Sequence, residues 1–238
     1  MEHLNHLLCA LPEDVRRKLS RRTTLVTLNV GETLQAQGEP ESHWYFVESG
    51  LVSLARIQDN GDRLEAGLVG REGMVGSLTG QGQAFTEATV EIAGRAVRIK
   101  ASAMQALMGD DPDVREVLTR YQQFQLEEAQ LNAACNASHT IDERLAKWLL
   151  RCLDRVDGLQ LELTQEFVAE MLGVQRTTVT ASLQRLAAKD VLRTGRGVIE
   201  VLCRKRLLAQ SCECYGHAAE RLPELGFPEV TDESACAA

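Results

Sequence analysis

Residues 163–201 read LTQEFVAEMLGVQRTTVTASLQRLAAKDVLRTGRGVIEV, and the periodicity of this stretch decides the fold of the carboxy-terminal part of the chain. Thr164 is placed to cap a first helix in which Phe167, Val168, Met171 and Leu172 recur at helical spacing. Gly173 ends that helix, because glycine takes the left-handed backbone a helix terminus needs. After Gly173-Val174-Gln175, a second helix carries Val179, Leu183 and Leu186 inward and Gln175, Arg176, Thr177, Thr180 and Gln184 outward. The pattern reads as a helix-turn-helix. Its outward residues are of the types that reach phosphates and base edges in a major groove, where arginine pairs with guanine and glutamine with adenine. Beyond it, Asp190-Val191-Leu192-Arg193 and Val198-Ile199-Glu200-Val201 are two short strands around Thr194-Gly195-Arg196-Gly197, which predicts a wing.

Charge supports the same reading. Between Gln175 and Arg206 stand Arg176, Arg185, Lys189, Arg193, Arg196, Arg204, Lys205 and Arg206 against Asp190 and Glu200, a local +6 in a chain of net charge −8. Residues 1–140 and the acidic stretch 217–238 carry the negative excess, so the average does not argue against a polyanionic partner, which feels local charge. At 238 residues and 44% hydrophobic content the chain is long enough for two domains. No run of about twenty apolar residues is present, and the start MEHLNHLLCALPEDVRRKLS lacks the layout of a secretion signal, so a cytoplasmic protein without membrane contact is expected. The seven cysteines are odd in number and dispersed, which predicts reduced thiols rather than a disulfide framework.

The amino-terminal part has a different rhythm. Leu4, Leu7, Leu8, Leu11, Val15 and Leu19 predict short helices, with Pro12 opening the second. Residues 23–100 are short β-forming segments cut by glycines, which predicts an antiparallel sandwich or barrel. Pro112-Asp113 then opens a helix without Gly or Pro to about Asn136. Its stripe of Val114, Val117, Leu118, Tyr121, Phe124, Gln125, Glu128, Leu131 and Cys135 predicts pairing with a second copy of the chain, the alternative being packing on its own β-domain. A further helix, residues 140–156, turns Ile141, Leu145, Trp148, Leu149, Cys152 and Leu153 inward and Asp142, Glu143, Arg144, Lys147, Arg151 and Arg155 outward, with Ser138-His139-Thr140 as a hinge before it.

A glycine-punctuated β-domain, a long bridging helix and a winged helix-turn-helix, in that order, resemble the Crp/Fnr superfamily of bacterial transcription regulators. The resemblance covers nearly the whole chain. Gly31-Glu32, Gly50-Leu51-Val52, Ile141-Asp142-Glu143-Arg144-Leu145-Ala146, Leu163-Thr164-Gln165-Glu166 and Gly173-Val174-Gln175-Arg176-Thr177-Thr178-Val179 carry it. It implies an α+β chain: a cyclic-nucleotide-binding-like jelly-roll sensor (residues 1–111), a long dimerisation helix (112–137), a winged DNA-binding domain (138–216) and an acidic tail (217–238). It implies a homodimer on a near-palindromic operator of double-stranded DNA, with RNA polymerase as a further partner if target genes are activated. Arg176 is the first candidate for a base contact, with Gln175, Thr177 and Thr180 beside it. Thr164, Gln165, Arg196 and Lys205 are candidates for positioning the DNA backbone.

The chain departs from the family where a ligand would sit. The segment Gly73-Met74-Val75-Gly76-Ser77-Leu78 through Thr86-Glu87-Ala88-Thr89-Val90 resembles the phosphate-binding cassette of nucleotide-binding members. Ser77 stands in place of the ribose-binding glutamate, and Phe85, Thr86 and Glu87 surround the place of the phosphate-binding arginine, so cyclic AMP is not expected as the effector. An effector of another kind would be sought among Met74, Gly76, Ser77, Leu78, Thr86, Glu87 and Ala88, with Gln130 on the long helix. No cofactor or metal is expected. The amino-terminal region offers only Cys9 toward an iron–sulfur cluster, and His43 or His139 alone would have to ligate a haem. Cys212-Glu213-Cys214 reads as structural, with no matching pair in sequence. Two other functions fit the residues less well. One is a signalling module without DNA binding, against which the basic wing argues. The other is a cupin-like metal enzyme, against which the lone His43 of the β-region argues, so an enzyme is not expected.

Overall fold

The computed structural model describes residues 4–78 and 83–217. The chain opens with α1 (His6–Ala10) and α2 (Glu13–Ser20), separated by Pro12, which supplies the cap position of α2 without needing an N–H. The β-domain follows as β1 (Thr23–Leu28), β2 (Thr33–Gln35), β3 (His43–Ile57), β4 (Arg63–Val69), β5 (Met74–Val75) and β6 (Glu87–Lys100). All pairings are antiparallel, in the order β1-β6-β3-β4, with β2 added to β6 and β5 to β3.

The two long strands β3 and β6 shift register three times between Val47 and Val52, and these bulges bend the sheet into a jelly-roll-like domain. Glycine makes the bend possible. Gly50 has φ +89°, and a Cβ there would lie 2.5 Å from the Ile92 carbonyl oxygen; at Gly94 it would lie 2.0 Å from that of Ser49. The bent sheet closes on Leu28, Val47, Val52, Val69, Val75, Ala88, Val90 and Ala96, all buried.

From the sheet the chain enters α3 (Ala101–Asp110) and α4 (Pro112–Ser138), the latter capped by the Asp111 side chain on the Asp113 N–H with proline at its start. Here one expectation changes. The stripe read as a seam with a second copy is engaged within the chain. Val114, Leu118, Tyr121 and Phe124 pack against Leu7, Leu8, Leu11, Val15, Trp44 and Phe46. Glu128 and Cys135 are buried as well. The face of α4 left open carries instead Leu126, 52% exposed, with Ala129, Ala133 and Ala137. Heptad-like spacing identified a buried stripe but not what covers it.

The remaining elements are α5 (Ile141–Leu153), β7 (Gln160–Leu161), α6 (Gln165–Leu172), α7 (Arg176–Ala187), β8 (Leu192–Gly195), β9 (Val198–Val201) and α8 (Arg204–Leu208). β7, β9 and β8 form a three-stranded antiparallel sheet. α5 begins with a reciprocal capping box between Thr140 and Glu143, directly after the α4 terminus at His139. Leu145, Leu149, Val168, Val179, Leu183, Leu186, Ile199 and Val201 make one core, and Leu51, Ala55 and Leu68 of the β-domain belong to the same buried cluster. The two domains therefore share apolar contact, at about 1.5–3 kcal/mol for each fully buried large aliphatic side chain.

A second expectation is corrected at this junction. Lys147, Arg151 and Arg155, read as outward, are buried at 6%, 3% and 4% exposure. Arg151 donates to Glu65 at 3.0 Å and to Glu128 at 3.0 Å and 3.2 Å, while Arg155 donates to Glu72 at 2.8 Å and reaches Glu128 at 3.4 Å. Trp148 donates its indole N–H to Glu65. β4, the Gly70–Gly73 turn, α4 and α5 are thus joined by one buried ionic network.

Candidate nucleic-acid interface

The first helix of the pair, α6, is satisfied locally at both ends. Thr164 Oγ1 accepts the Phe167 N–H at 3.1 Å, and Gly173 ends α6 in the left-handed region (φ 65°, ψ 40°) with its N–H bonded to the Glu170 carbonyl at 3.1 Å. Arg144 donates to the Leu172 carbonyl at 2.7 Å, closing the same helix end from α5. α7 packs through Val179, Ser182, Leu183 and Leu186. Ser182 donates to Asp142 at 2.5 Å, and Arg185 donates to both Asp142 carboxylate oxygens at 2.7 Å and 2.6 Å, so Asp142 locks α7 onto α5. Bonds from Arg185 and Ser182 hold the Asp142 carboxyl below its ordinary range against the effect of partial burial.

The amino-terminal end of α7 remains open. No side chain caps it, and Gln175, Arg176 and Thr177 are exposed there, where backbone N–H groups and the helix dipole favour an anion. Arg176 is 65% exposed at its side chain and has only a loose pair with Glu166 at 3.7 Å. Thr180 is half-buried; its hydroxyl lies 2.7 Å from Gln165 Oε1 and 3.0 Å from the Arg176 carbonyl, which brings the first turns of α6 and α7 together and engages Gln165 and Thr180 with each other. Thr164 is exposed, with its hydroxyl oxygen already capping α6. Arg196 is exposed in the β8–β9 turn, where Gly197 has φ +72°, and Lys205 is exposed in the first turn of α8.

The basic residues thus divide by role. Arg185, Lys189, Arg204 and Arg206 bond to Asp142, Gln210, Asp154 and the Asp190 carbonyl within the domain. Arg176, Arg193 and Arg196 present exposed guanidinium groups outward.

Residues 143–210 match the family described as the Crp-like helix-turn-helix domain, and residues 25–111 match the cyclic nucleotide-binding domain. The CRP-like cAMP-activated global transcriptional regulator of Mycobacterium tuberculosis is 29% identical over 191 residues, covering 76% of this chain and 85% of that one. The cyclic AMP receptor protein of Thermus thermophilus is 28% identical over 179 residues, covering 72% and 80%. Among solved structures, FixK2 from Bradyrhizobium japonicum has a TM-score of 0.69 at 22% identity, covering 80% of this chain and 98% of its own, which is a likeness of fold. A CRP/FNR-family regulator from Thermus thermophilus has a TM-score of 0.64 at 25% identity, covering 79% and 98%. The chain belongs to the Crp/Fnr superfamily. It is a Crp/Fnr-type DNA-binding transcription regulator, of a family of regulators rather than enzymes. No helix among the described residues is long and apolar enough to cross a membrane.

In this Crp/Fnr chain the residues of the cassette are largely engaged with the protein. Met74 and Ala88 are buried, Leu78 packs on the amino-terminal core, and a Cβ at Gly76 (φ +149°) would lie 2.6 Å from the Trp44 ring. The Ser77 N–H donates to Glu41 Oε2 at 2.8 Å, so a carboxylate already occupies that amide. Glu87 pairs with Arg63 at 3.3 Å, and the Thr86 carbonyl accepts from Gln35 at 3.4 Å. Gln130 is exposed on α4. Two cations stand near this segment that its own residues do not announce. Arg56 stands 4.7 Å over the Phe85 ring and donates to the Phe85 carbonyl at 2.8 Å, and Arg63 reaches Glu87 and Thr89, so the segment does meet guanidinium groups. They come from β3 and β4 and reach Phe85 and Thr89 across 29 and 26 positions of sequence, which no local spacing reveals.

The reading of Cys212 and Cys214 as lacking a matching pair also changes. Cys135 and His139, one helical turn apart at the end of α4, come beside them. The acidic stretch 217–238 lies outside the described residues apart from His217.

Proposed function

We propose that this regulator acts as a homodimer that reads a near-palindromic operator through the amino-terminal end of α7. The observation that carries the reading is the open, uncapped start of α7 bearing exposed Gln175, Arg176 and Thr177, together with the exposed wing residue Arg196. Arg176 contacts a base edge, Gln175, Thr177 and Thr180 complete the surface, and Thr164, Gln165, Arg196 and Lys205 set the position on the phosphates. Two such helices enter successive major grooves about 34–36 Å apart when the duplex is met by a two-fold pair. The open α4 face with Leu126, Ala129, Ala133 and Ala137 supports the pairing, since small residues allow close helix approach around one leucine.

The sensor domain does not hold cyclic AMP through the usual glutamate and arginine. Ser77 and the segment Phe85-Thr86-Glu87 stand in those places, and the cations nearby, Arg56 and Arg63, already have partners within the chain. An effector of other chemistry acts by differential affinity for two settings of the hinge at Ser138-His139-Thr140. The protein works in the cytoplasm, and RNA polymerase is its partner where it activates.

Selection of duplex fragments by the purified chain, followed by sizing of the complex, tests the reading. Recovery of a two-fold symmetric sequence bound by two chains is expected. Monomers with no salt-sensitive attachment to any duplex would overturn it, and an affinity raised by cyclic AMP would overturn the sensor assignment.

A further inference from the structure

At the junction of α4 with the winged domain, four side chains of metal-ligating type converge from two distant parts of the chain. Cys135 sits on the last turn of α4 and His139 forms its terminus, while Cys212 and Cys214 follow α8. The four ligand atoms all lie within 4.8 Å of one another. Cys135 Sγ is 3.6 Å from Cys212 Sγ, and Cys214 Sγ is 3.7 Å from His139 Nδ1. With zinc–sulfur bonds of about 2.3 Å, a tetrahedron has edges of about 3.8 Å, so both separations are edges of a zinc-sized tetrahedron. An iron–sulfur cluster, with sulfides bridging several irons, would force its ligand atoms further apart than this.

The surroundings suit the same occupant. Cys135, Cys212 and Cys214 are buried at 0%, 4% and 7% exposure, in a small cluster of their own. The other ring nitrogen of His139, Nε2, is 3.3 Å from Glu213 Oε1, and a carboxylate on the far side of a histidine orients the ring toward a metal. Three thiolates and one imidazole around a divalent ion leave one net negative charge. The buried ammonium of Lys147, beside Cys135 and bonded to Asn132 at 2.8 Å, offsets it.

We propose that Cys135 Sγ, His139 Nδ1, Cys212 Sγ and Cys214 Sγ form a closed Cys3His site for one zinc ion, which clamps the end of the long helix to the winged domain. Four protein ligands leave no open position, so the ion is structural, and soft thiolates with imidazole select zinc over magnesium or calcium. His139 is both a ligand and the residue at which α4 gives way to α5, so the ion fixes the hinge. The site holds whether or not the chain binds DNA.

The test is cobalt and zinc binding by the full chain, prepared reduced and stripped of metal. One cobalt per chain is expected, with the intense visible bands of a tetrahedral thiolate complex, displaced by one equivalent of zinc. Cys212→Ser abolishes stoichiometric binding, Cys9→Ser does not, and Glu213→Gln, which leaves all four ligands in place, weakens affinity by about 10–100-fold. The spectrum is read on the unaltered chain, so a Cys212→Ser protein that fails to fold does not decide the matter. Hydrogen exchange at residues 138–142 slows when zinc is added. Absence of a tetrahedral cobalt spectrum under reducing conditions, equal uptake by the Cys212→Ser variant, or a hinge whose exchange ignores bound zinc would each overturn the proposal.

Discussion

Helices α5 and α7 both carry arginines at regular intervals on an amphipathic frame, yet they put them to opposite uses. In and just after α5, Arg151 and Arg155 are almost wholly buried and bind Glu65, Glu72 and Glu128 from three separate segments. In α7, Arg176 is exposed with only a distant carboxylate for company. A guanidinium is costly to bury unless several acceptors surround it, so the first arrangement holds domains together and the second keeps a cation available to an outside anion. Count and spacing of basic residues do not distinguish the two; only the acids brought near them do.

The contrast is broken most severely at Glu128, which serves both buried arginines. Glu128→Ala leaves Arg151 and Arg155 short of an anion inside the protein, and a loss of about 3–5 kcal/mol is expected in denaturant unfolding monitored by tryptophan fluorescence. Burial pushes the Glu128 carboxyl up, but Arg151 and Arg155 outweigh it and hold it below its ordinary range. Its folded value is therefore depressed. The contribution is full above the ordinary carboxylate value and fades as pH falls through the folded value, so acid titration should weaken the unaltered chain more than the variant.

The opposite outcome is expected at Arg176. Arg176→Ala should leave the unfolding midpoint unchanged while costing about 1–3 kcal/mol of discrimination at one base pair per half-site, read by competition binding on single-base operator variants. An unfolding midpoint that drops as it does for Glu128→Ala would erase the distinction between the two helices. On the wing, Arg196→Ala should weaken binding evenly across sequences and reduce the slope of log affinity against log salt by about 1.

Asp142 tests the middle ground, a carboxylate shared between the domain's interior and its surface. Arg185 and Ser182 depress its folded value, so its contribution is present above the ordinary aspartate value and is lost as pH falls. Asp142→Asn should remove that acid-dependent part and slightly loosen α7 on α5. The effect should be the smallest of the series, because the Arg185 partner is half-exposed and screened. Thermal unfolding across an acidic pH series reads it.

How far the residues alone carried the reading differs between the parts of the molecule. Thr164, Gly173 and the spacing of Val179, Leu183 and Leu186 identify the helix pair because capping, a left-handed terminus and helical periodicity are local events. The jelly roll was legible as a class from its glycines, although the reason Gly50 and Gly94 are needed is the contact between β3 and β6. The stripe on α4 was legible as buried, but its cover was not, since a heptad-like pattern is the same whether a second chain or the chain's own amino-terminal helices lie on it.

What the sequence by itself determined is therefore the helix pair with its Thr164 cap and Gly173 terminus, the wing, the long helix and the β-class of residues 23–100, along with the likeness that places the chain among DNA-binding regulators. Only the tertiary structure decided which charges are buried and which are offered outward, which cations reach the cassette, and that Cys135 and His139 meet Cys212 and Cys214. The physical reason is range. Backbone preference and periodicity act over a few residues, whereas ion pairing and metal ligation act through space between groups more than seventy positions apart, as between Cys135 and Cys212, and are settled only when the chain has packed.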